Sequence, residues 1–176
     1  AVQLRLLPTL RSRAMVEEAM IMAGAQTAQF AAAHHLRLSF SQQEAADTTD
    51  RPETLSGMFA LRRLLKRSRY QTTPGPHGGL GVAAYTQVTS PLRRYLDLVN
   101  HQQLRAFLLG TAPLGEAEIL ERIGAAEAVL GATRQAEFLS EKHWTLVYLM
   151  QHPGWRGEGI LVEKRGATGT VIIPAL

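Results

Sequence analysis

The sequence predicts an α+β fold that is mainly helical and becomes β-rich at its C-terminal end. Three observations carry this expectation. Apolar residues recur at helical spacing in four segments, the stretches between them are rich in Gly, Pro, Ser and Thr, and β-rich runs gather after Trp155. The 176 residues, 45% hydrophobic and 19% charged, suffice for one ordinary core or for parts of two.

In chain order, AVQLRLLP alternates loosely enough for a strand, yet it starts at residue 1 with no partner upstream. It reads as an interior strand of something longer. Ser12 offers an N-cap for a helix over residues 13–33, with Val16, Met20, Ala23, Thr27 and Phe30 on one stripe. Inside it, MVEEAMIMAG sets Glu17 and Glu18 among apolar neighbours. Their nearness to the positive end of the helix dipole explains them about as well as a binding role does. Residues 39–51 read as a loop. Pro52 then opens a helix through ETLSGMFALRRLLKRSR, which ends in Arg62, Arg63, Lys66, Arg67 and Arg69. Such cations suit a helix C-terminus and equally suit a wall facing a polyanion.

TTPGPHGGLGVAAYT is turn-rich. GGLGVAA can be forced into a dinucleotide-binding pattern, but that fingerprint needs a preceding buried strand and RSRYQTTPGPH supplies none. In TSPLRRY, Ser90 is positioned to cap a helix with Pro91 in its first turn, running to about Gly110. Arg93 and Arg94 then fall at the positive end of the dipole, which disfavours each cation by ~0.3–1 kcal/mol. An exposed intrahelical pair with Asp97 is worth only ~0.3–0.5 kcal/mol and hardly offsets this. A phosphate would do more, because a helix N-terminus and an arginine fork supply N–H donors together. Asp97 and His101, one turn apart, are expected to hydrogen-bond and so orient the arginines.

A long helix follows over residues 116–151 and stops at Pro153–Gly154. Its stripe of positions 119, 123, 126, 130, 133, 137, 144 and 148 is mostly apolar but includes Glu137. Glu137 either sits at the edge, paired with Arg134 or Lys142, or meets a buried cation or donor, which marks a functional site. Residues 159–162 and 168–173 read as two strands joined by a Gly-containing turn. Two strands alone are marginally stable, so the chain is expected to begin inside one domain and end inside another, as a piece of a longer polypeptide.

Composition excludes several chemistries. With no cysteine there are no disulfides, thiolate metal sites or cysteine nucleophiles, and the six histidines show no metal-binding spacing. No run approaches the ~20 apolar residues of a membrane span, and the N-terminus lacks a signal-peptide core. A cytoplasmic protein with no membrane partner is the default expectation. The formal charge of +4 permits polyanion binding without demanding it.

HGGLGVAAYTQVTSPLRRYLDLVNHQQL resembles the segment near the end of the catalytic domain of the ribonuclease II/ribonuclease R family, whose usual form is close to H-F-G-L…Y-T-H-F-T-S-P-I-R-R-Y-x-D-L-x-x-H-R-x-L. MVEEAMIMAG resembles the V-E-E helix upstream of it, and RQAEFLSEKHW the helix that follows. WRGEGILVEKRGATGTVIIP looks like the start of the OB-type RNA-binding domain that commonly comes next. The resemblance covers essentially the whole chain. It implies residues 1–153 as the C-terminal part of the catalytic domain and 154–176 as the first strands of an OB-fold barrel.

The activity implied is metal-dependent 3′-to-5′ exoribonuclease hydrolysis of single-stranded RNA to nucleoside 5′-monophosphates. Carried over by position, Arg93 resembles the arginine contacting phosphate at the scissile end and Glu137 the carboxylate near it. Glu17 or Glu18 resembles the acid close to the terminal nucleotides. Tyr85, Ser90 and Arg94 lie within or beside the quoted segment and are expected next to the substrate. Gln87 stands where His is usual, Leu92 replaces Ile, and Leu96 stands where Pro is common. The family's aspartate cluster would lie upstream of residue 1, so Mg²⁺ would be bound mainly outside this chain. No metal site is expected within it, and the isolated segment is expected to be inactive. The alternative is a non-catalytic RNA-binding relative with the same fold.

Overall fold

In a computed structural model of the chain, which describes residues 2–5, 8, 10–48 and 50–176, small residues set the packing of the first helix. Helix α1 (Arg11–Ala33) buries Gly24, Ala25, Ala28 and Ala31. That face is offset from the expected stripe, for Val16 is 53% exposed and Ala23 is exposed. The reason is close approach. A Cβ on Gly24 would stand 2.5 Å from the Thr86 carbonyl oxygen and 2.5 Å from Tyr85 Cε2, so only glycine lets the helix backbone come this near. The helix also starts earlier than expected, with Leu10 as N-cap and no side-chain cap, and Ser12 lies inside it. Glu17 and Glu18 therefore fall beyond the first turn, where the dipole no longer accounts for them.

The expected loop over 39–51 instead begins with a buried strand. Leu36, Leu38 and Phe40 alternate inward at 6%, 0% and 0% exposure, the period of a strand. Strand β1 (Phe40–Gln42) pairs antiparallel with β2 (Arg69–Gln71), Phe40 opposite Gln71 and Gln42 opposite Arg69. Its other side meets the Tyr85–Thr86 segment, where Ser41 N–H donates to the Tyr85 carbonyl at 2.9 Å. Phe40 sits in a core with Ala28, Ala31, Leu36, Leu38 and Ala84, against which Leu104 and Phe107 pack.

Helix α2 (Leu55–Leu64) is capped by Thr54, whose hydroxyl accepts from Gly57 N–H at 3.2 Å. It stops five residues short of the expected end at Arg69. Leu65 is extended (ψ 128°) and the ladder to β1 takes Arg69 into β2, so only Arg62 and Arg63 remain at the helix C-terminus. Helix α3 (Tyr95–Leu108) starts four residues later than Pro91 predicts. Helix α4 (Glu116–Gln151) runs as expected; its Ile119 and Ile123 pack with Leu96, beside Tyr70, Leu114 and Ala126.

The chain divides into two compact units. One comprises Leu10–Ala46 and Lys66–Leu130, the other Asp47–Leu65 and Gly131–Leu176 with the N-terminal residues. In the second unit, β3 (Ile160–Arg165) and β4 (Thr168–Ile172) form an antiparallel hairpin with an irregularity between Leu161 and Glu163. Gly166 supplies the positive φ (+58°) that its two-residue turn requires. Glu163 on the hairpin accepts from Arg165 and, from the end of α2, Arg63. The N-terminal strand expected over 1–8 does not form in residues 2–5 or 8, where Val2 N–H donates to Gln151 Oε1 at 3.1 Å; residues 1, 6 and 7 lie outside the described residues.

Candidate functional site

The segment Thr89–Arg94 folds as a turn ahead of α3, not as its first helical residues. The Ser90 carbonyl accepts from Arg93 N–H at 3.2 Å and from Arg94 N–H at 2.9 Å. Arg94 is extended (φ −121°, ψ 113°) and serves as N-cap of α3. The two arginines thus precede the helical residues, and at the N-cap Arg94 is compensated at the positive end of the dipole by Asp97.

Arg94 and Arg93 have opposite surroundings. The Arg94 guanidinium donates from Nε (3.1 Å) and Nη2 (2.7 Å) to Asp97 Oδ2, and from Nη2 to Thr89 Oγ1 at 3.1 Å. Asp97 is fully buried, so this is a partly buried pair and not the exposed one expected. Ser90 N–H also donates to Asp97 Oδ2, at 2.8 Å. The Arg93 side chain is exposed and has no hydrogen bond or ion pair with any described residue. The expected Asp97–His101 bond is absent, because His101 Nε2 bonds the Val88 carbonyl at 2.6 Å.

Tyr85 stands in the same unit. One edge of its ring lies over Gly24, and the His77 ring meets it edge-on at 5.6 Å between centroids. Burial pushes the Tyr85 phenol above its ordinary value, Arg94 lowers it and Asp97 raises it, so the hydroxyl stays protonated and able to donate near neutral pH. With Glu17, Arg13, Val16, Met20, Ile21 and Leu80, Tyr85 lines a cleft of about 500 Å³. Its lining is mostly apolar and includes a cation, an acid and a tyrosine.

The structure therefore brings Glu17 and Tyr85 into one cleft, and Ser90 and Arg94 into one clasp around Asp97. Glu18 is exposed and does not line the cleft. Glu137 belongs to the other unit, is exposed, and makes no ion pair with Arg134 or Lys142 among the described residues. Arg13, Gly24 and His77 escaped the sequence reading as site residues. Arg13 and Glu17, one turn apart, lie among the apolar residues assigned to the core, and that mixture was the available signal. Among the described residues no three His, Asp or Glu side chains are grouped to hold a metal ion, so these residues do not themselves fit one.

A second basic feature lies beside β1. Lys66, Arg67 and Arg69 share a groove of about 450 Å³ with Gln42, Gln43 and Glu44. Lys66 pairs with Glu44 at 2.7 Å, and this contact holds the Glu44 carboxyl below its usual range.

His77 makes the neighbourhood of Tyr85 acid-sensitive. Burial lowers its pKa below 6.5, outweighing an opposing effect of its own backbone, and its Nδ1 is buried with no partner among the described residues. A base whose folded pKa is depressed contributes stability that is present above its unfolded pKa and is lost as pH falls below it. The urea midpoint is thus expected to drop between pH 7.5 and pH 5.5, and to drop less in His77→Phe. Equal drops in the two proteins would rule His77 out as the cause.

Residues 37–110 match the RNB domain family. An uncharacterized ribonuclease of Synechocystis sp. is 31% identical over 172 residues, which cover 92% of this chain and 25% of that protein. Exoribonuclease 2 of Pectobacterium atrosepticum is 39% identical over 95 residues, 48% of this chain and 14% of the relative. The chain thus spans about a quarter or less of these curated relatives. Among solved structures, an active-site mutant of the Dss1 exoribonuclease of Candida glabrata superposes with a TM-score of 0.79 at 22% identity, covering 99% of this chain and 26% of that one. RNase R of Mycoplasma genitalium, in complex with ribose-methylated single-stranded RNA, gives 0.68 at 16% identity over 96% and 33% of the two chains. At these identities the structural likeness establishes a shared fold.

Proposed function

We infer, from the premise that this chain carries an RNB segment of the ribonuclease II/ribonuclease R family, that the complete protein is a 3′-to-5′ exoribonuclease releasing nucleoside 5′-monophosphates from single-stranded RNA. This segment supplies phosphate-stabilising and RNA-positioning residues. The observation that carries the reading is the pairing state of the TSPLRRY guanidinium groups: that of Arg94 is bound by Asp97 and Thr89, while that of Arg93 is exposed with no partner among the described residues.

An exposed guanidinium on a turn braced by hydrogen bonds suits an oxyanion. Its planar fork matches two phosphate oxygens, and a preorganised donor acts on charge that grows during phosphodiester cleavage. The cleft with Tyr85 and Glu17 offers a mostly apolar surface with a few polar groups for a nucleotide of the same strand, and the Lys66–Arg69 groove offers cations for phosphates further along it. Ser90 acts through its backbone, which forms the turn. Glu137 and Glu18 enter by family position alone.

When bound, a divalent ion, Mg²⁺ by family resemblance, supplies activation of water, and carboxylates outside this chain would hold it mainly. Residues 154–176 are assigned as the beginning of an OB-type domain. The remainder of the same polypeptide is the second partner, which the exposed Phe138, Leu139, Trp144 and Met150 of α4 support. No helix among the described residues is long and apolar enough to cross a membrane, and the cytoplasm is the proposed compartment.

The complete protein with Mg²⁺ is expected to shorten 5′-labelled single-stranded RNA from its 3′ end and release mononucleotides. The isolated 176-residue chain is expected to release none, and RNA affinity should fall as salt rises. RNA that is bound but left intact by the complete protein would instead favour a non-catalytic RNA-binding relative.

A further inference from the structure

We propose that Asp97 is a positioning residue for this reaction, acting through Arg94 and the turn to hold Arg93 at the substrate phosphate; the proposal rests on the role given to Arg93 above. Asp97 lies in the first turn of α3, fully buried, and its Oδ2 accepts from Ser90 N–H at one end of the turn and from the Arg94 guanidinium at the other. One carboxylate thus ties together both ends of the segment that carries Arg93. The Arg94 contact to Thr89 Oγ1 adds a second link across the same turn.

The charge on Asp97 is what points beyond a structural staple. A neutral Asn or Ser can accept a backbone N–H at such a place, whereas a buried carboxylate is costly to desolvate and here leaves Oδ1 without a partner among the described residues. What a neutral acceptor cannot do is neutralise Arg94. Two adjacent arginines repel one another, and both would compete for a phosphate. With Arg94 paired to Asp97, the turn presents a single uncompensated cation, Arg93, on a backbone fixed at both ends. Loss of the acid frees Arg94 to compete and lets the turn shift. A misplacement on the order of 1 Å can slow a reaction by on the order of 10²-fold.

The test is made in the complete protein with Mg²⁺ and single-stranded RNA, reading single-turnover cleavage at saturating enzyme, equilibrium RNA affinity and melting temperature. Asp97→Asn is expected to cleave on the order of 10²-fold more slowly with RNA affinity changed by less than about threefold. Arg94→Gln should show the same split, and the double variant should be no slower than the slower single, since both act through one contact. A purely structural role predicts a lower melting temperature with rate and affinity falling together. Wild-type cleavage by Asp97→Asn, or losses that multiply in the double variant, would overturn the proposal. If Asp97→Asn fails to fold, Arg94→Gln decides: slow cleavage at an unchanged melting temperature supports it, and a wild-type rate overturns it. A wild type that releases no nucleotide overturns the exoribonuclease reading and this inference with it, whereas normal cleavage by both wild type and Asp97→Asn removes this inference alone.

Discussion

Phe40→Ala is expected to destabilise the fold by about 3–5 kcal/mol, the usual cost of truncating a buried aromatic side chain. Phe40 is 0% exposed and is the largest fully buried side chain among the described residues. Its site cannot readily collapse around the missing ring. The β1 backbone is held on one side by the ladder to β2 and on the other by the Ser41–Tyr85 hydrogen bond, so the cavity persists. The same strand holds the segment carrying Tyr85, and the candidate cleft should loosen with it. Urea unfolding beside Leu108→Ala, a residue 71% exposed and expected to change stability by less than about 0.5 kcal/mol, checks this. Equal midpoints for the two variants would show that Phe40 does not anchor the core.

Arg93→Ala is expected to slow cleavage on the order of 10²–10³-fold, or about 2.7–4 kcal/mol, the usual loss when one preorganised donor to a developing oxyanion is removed. RNA affinity should change little. The strand is held along many phosphates, whereas the scissile phosphate has few partners and its charge changes only in the transition state. Arg93→Lys should recover part of the rate, since an ammonium keeps the charge without the planar fork.

The helices were legible wherever large apolar residues mark one face, as with Ile119 and Ile123 on α4. They were misread where small residues decide the packing. The Gly24–Ala28–Ala31 face of α1 carries almost no hydrophobic contrast, and its meaning comes from Thr86 and Tyr85, some sixty residues away. Strand β1 was missed because HLRLSF is followed by polar residues that suggest a loop, although its alternation was visible in the sequence. At the candidate site, the TSPLRRY motif was found by its chemistry, but Ser-Pro suggested a helix start where the chain makes a turn. Local capping rules do not contain the Asp97 carboxylate, which takes Ser90 N–H from seven residues further along and fixes the turn instead. The His77–Tyr85 contact and the grouping of Arg13, Glu17 and Tyr85 are tertiary, and no local pattern announces them.

The role of Arg93 in chemistry, as distinct from binding, is tested most directly by single-turnover cleavage of single-stranded RNA at saturating concentrations of wild type and Arg93→Ala, with an RNA-binding titration at the same salt. The phosphate-stabilising role predicts a rate lower by on the order of 10²–10³ with affinity almost unchanged. Cleavage by Arg93→Ala at the wild-type rate once RNA is saturated would contradict it and leave Arg93 as a binding residue only.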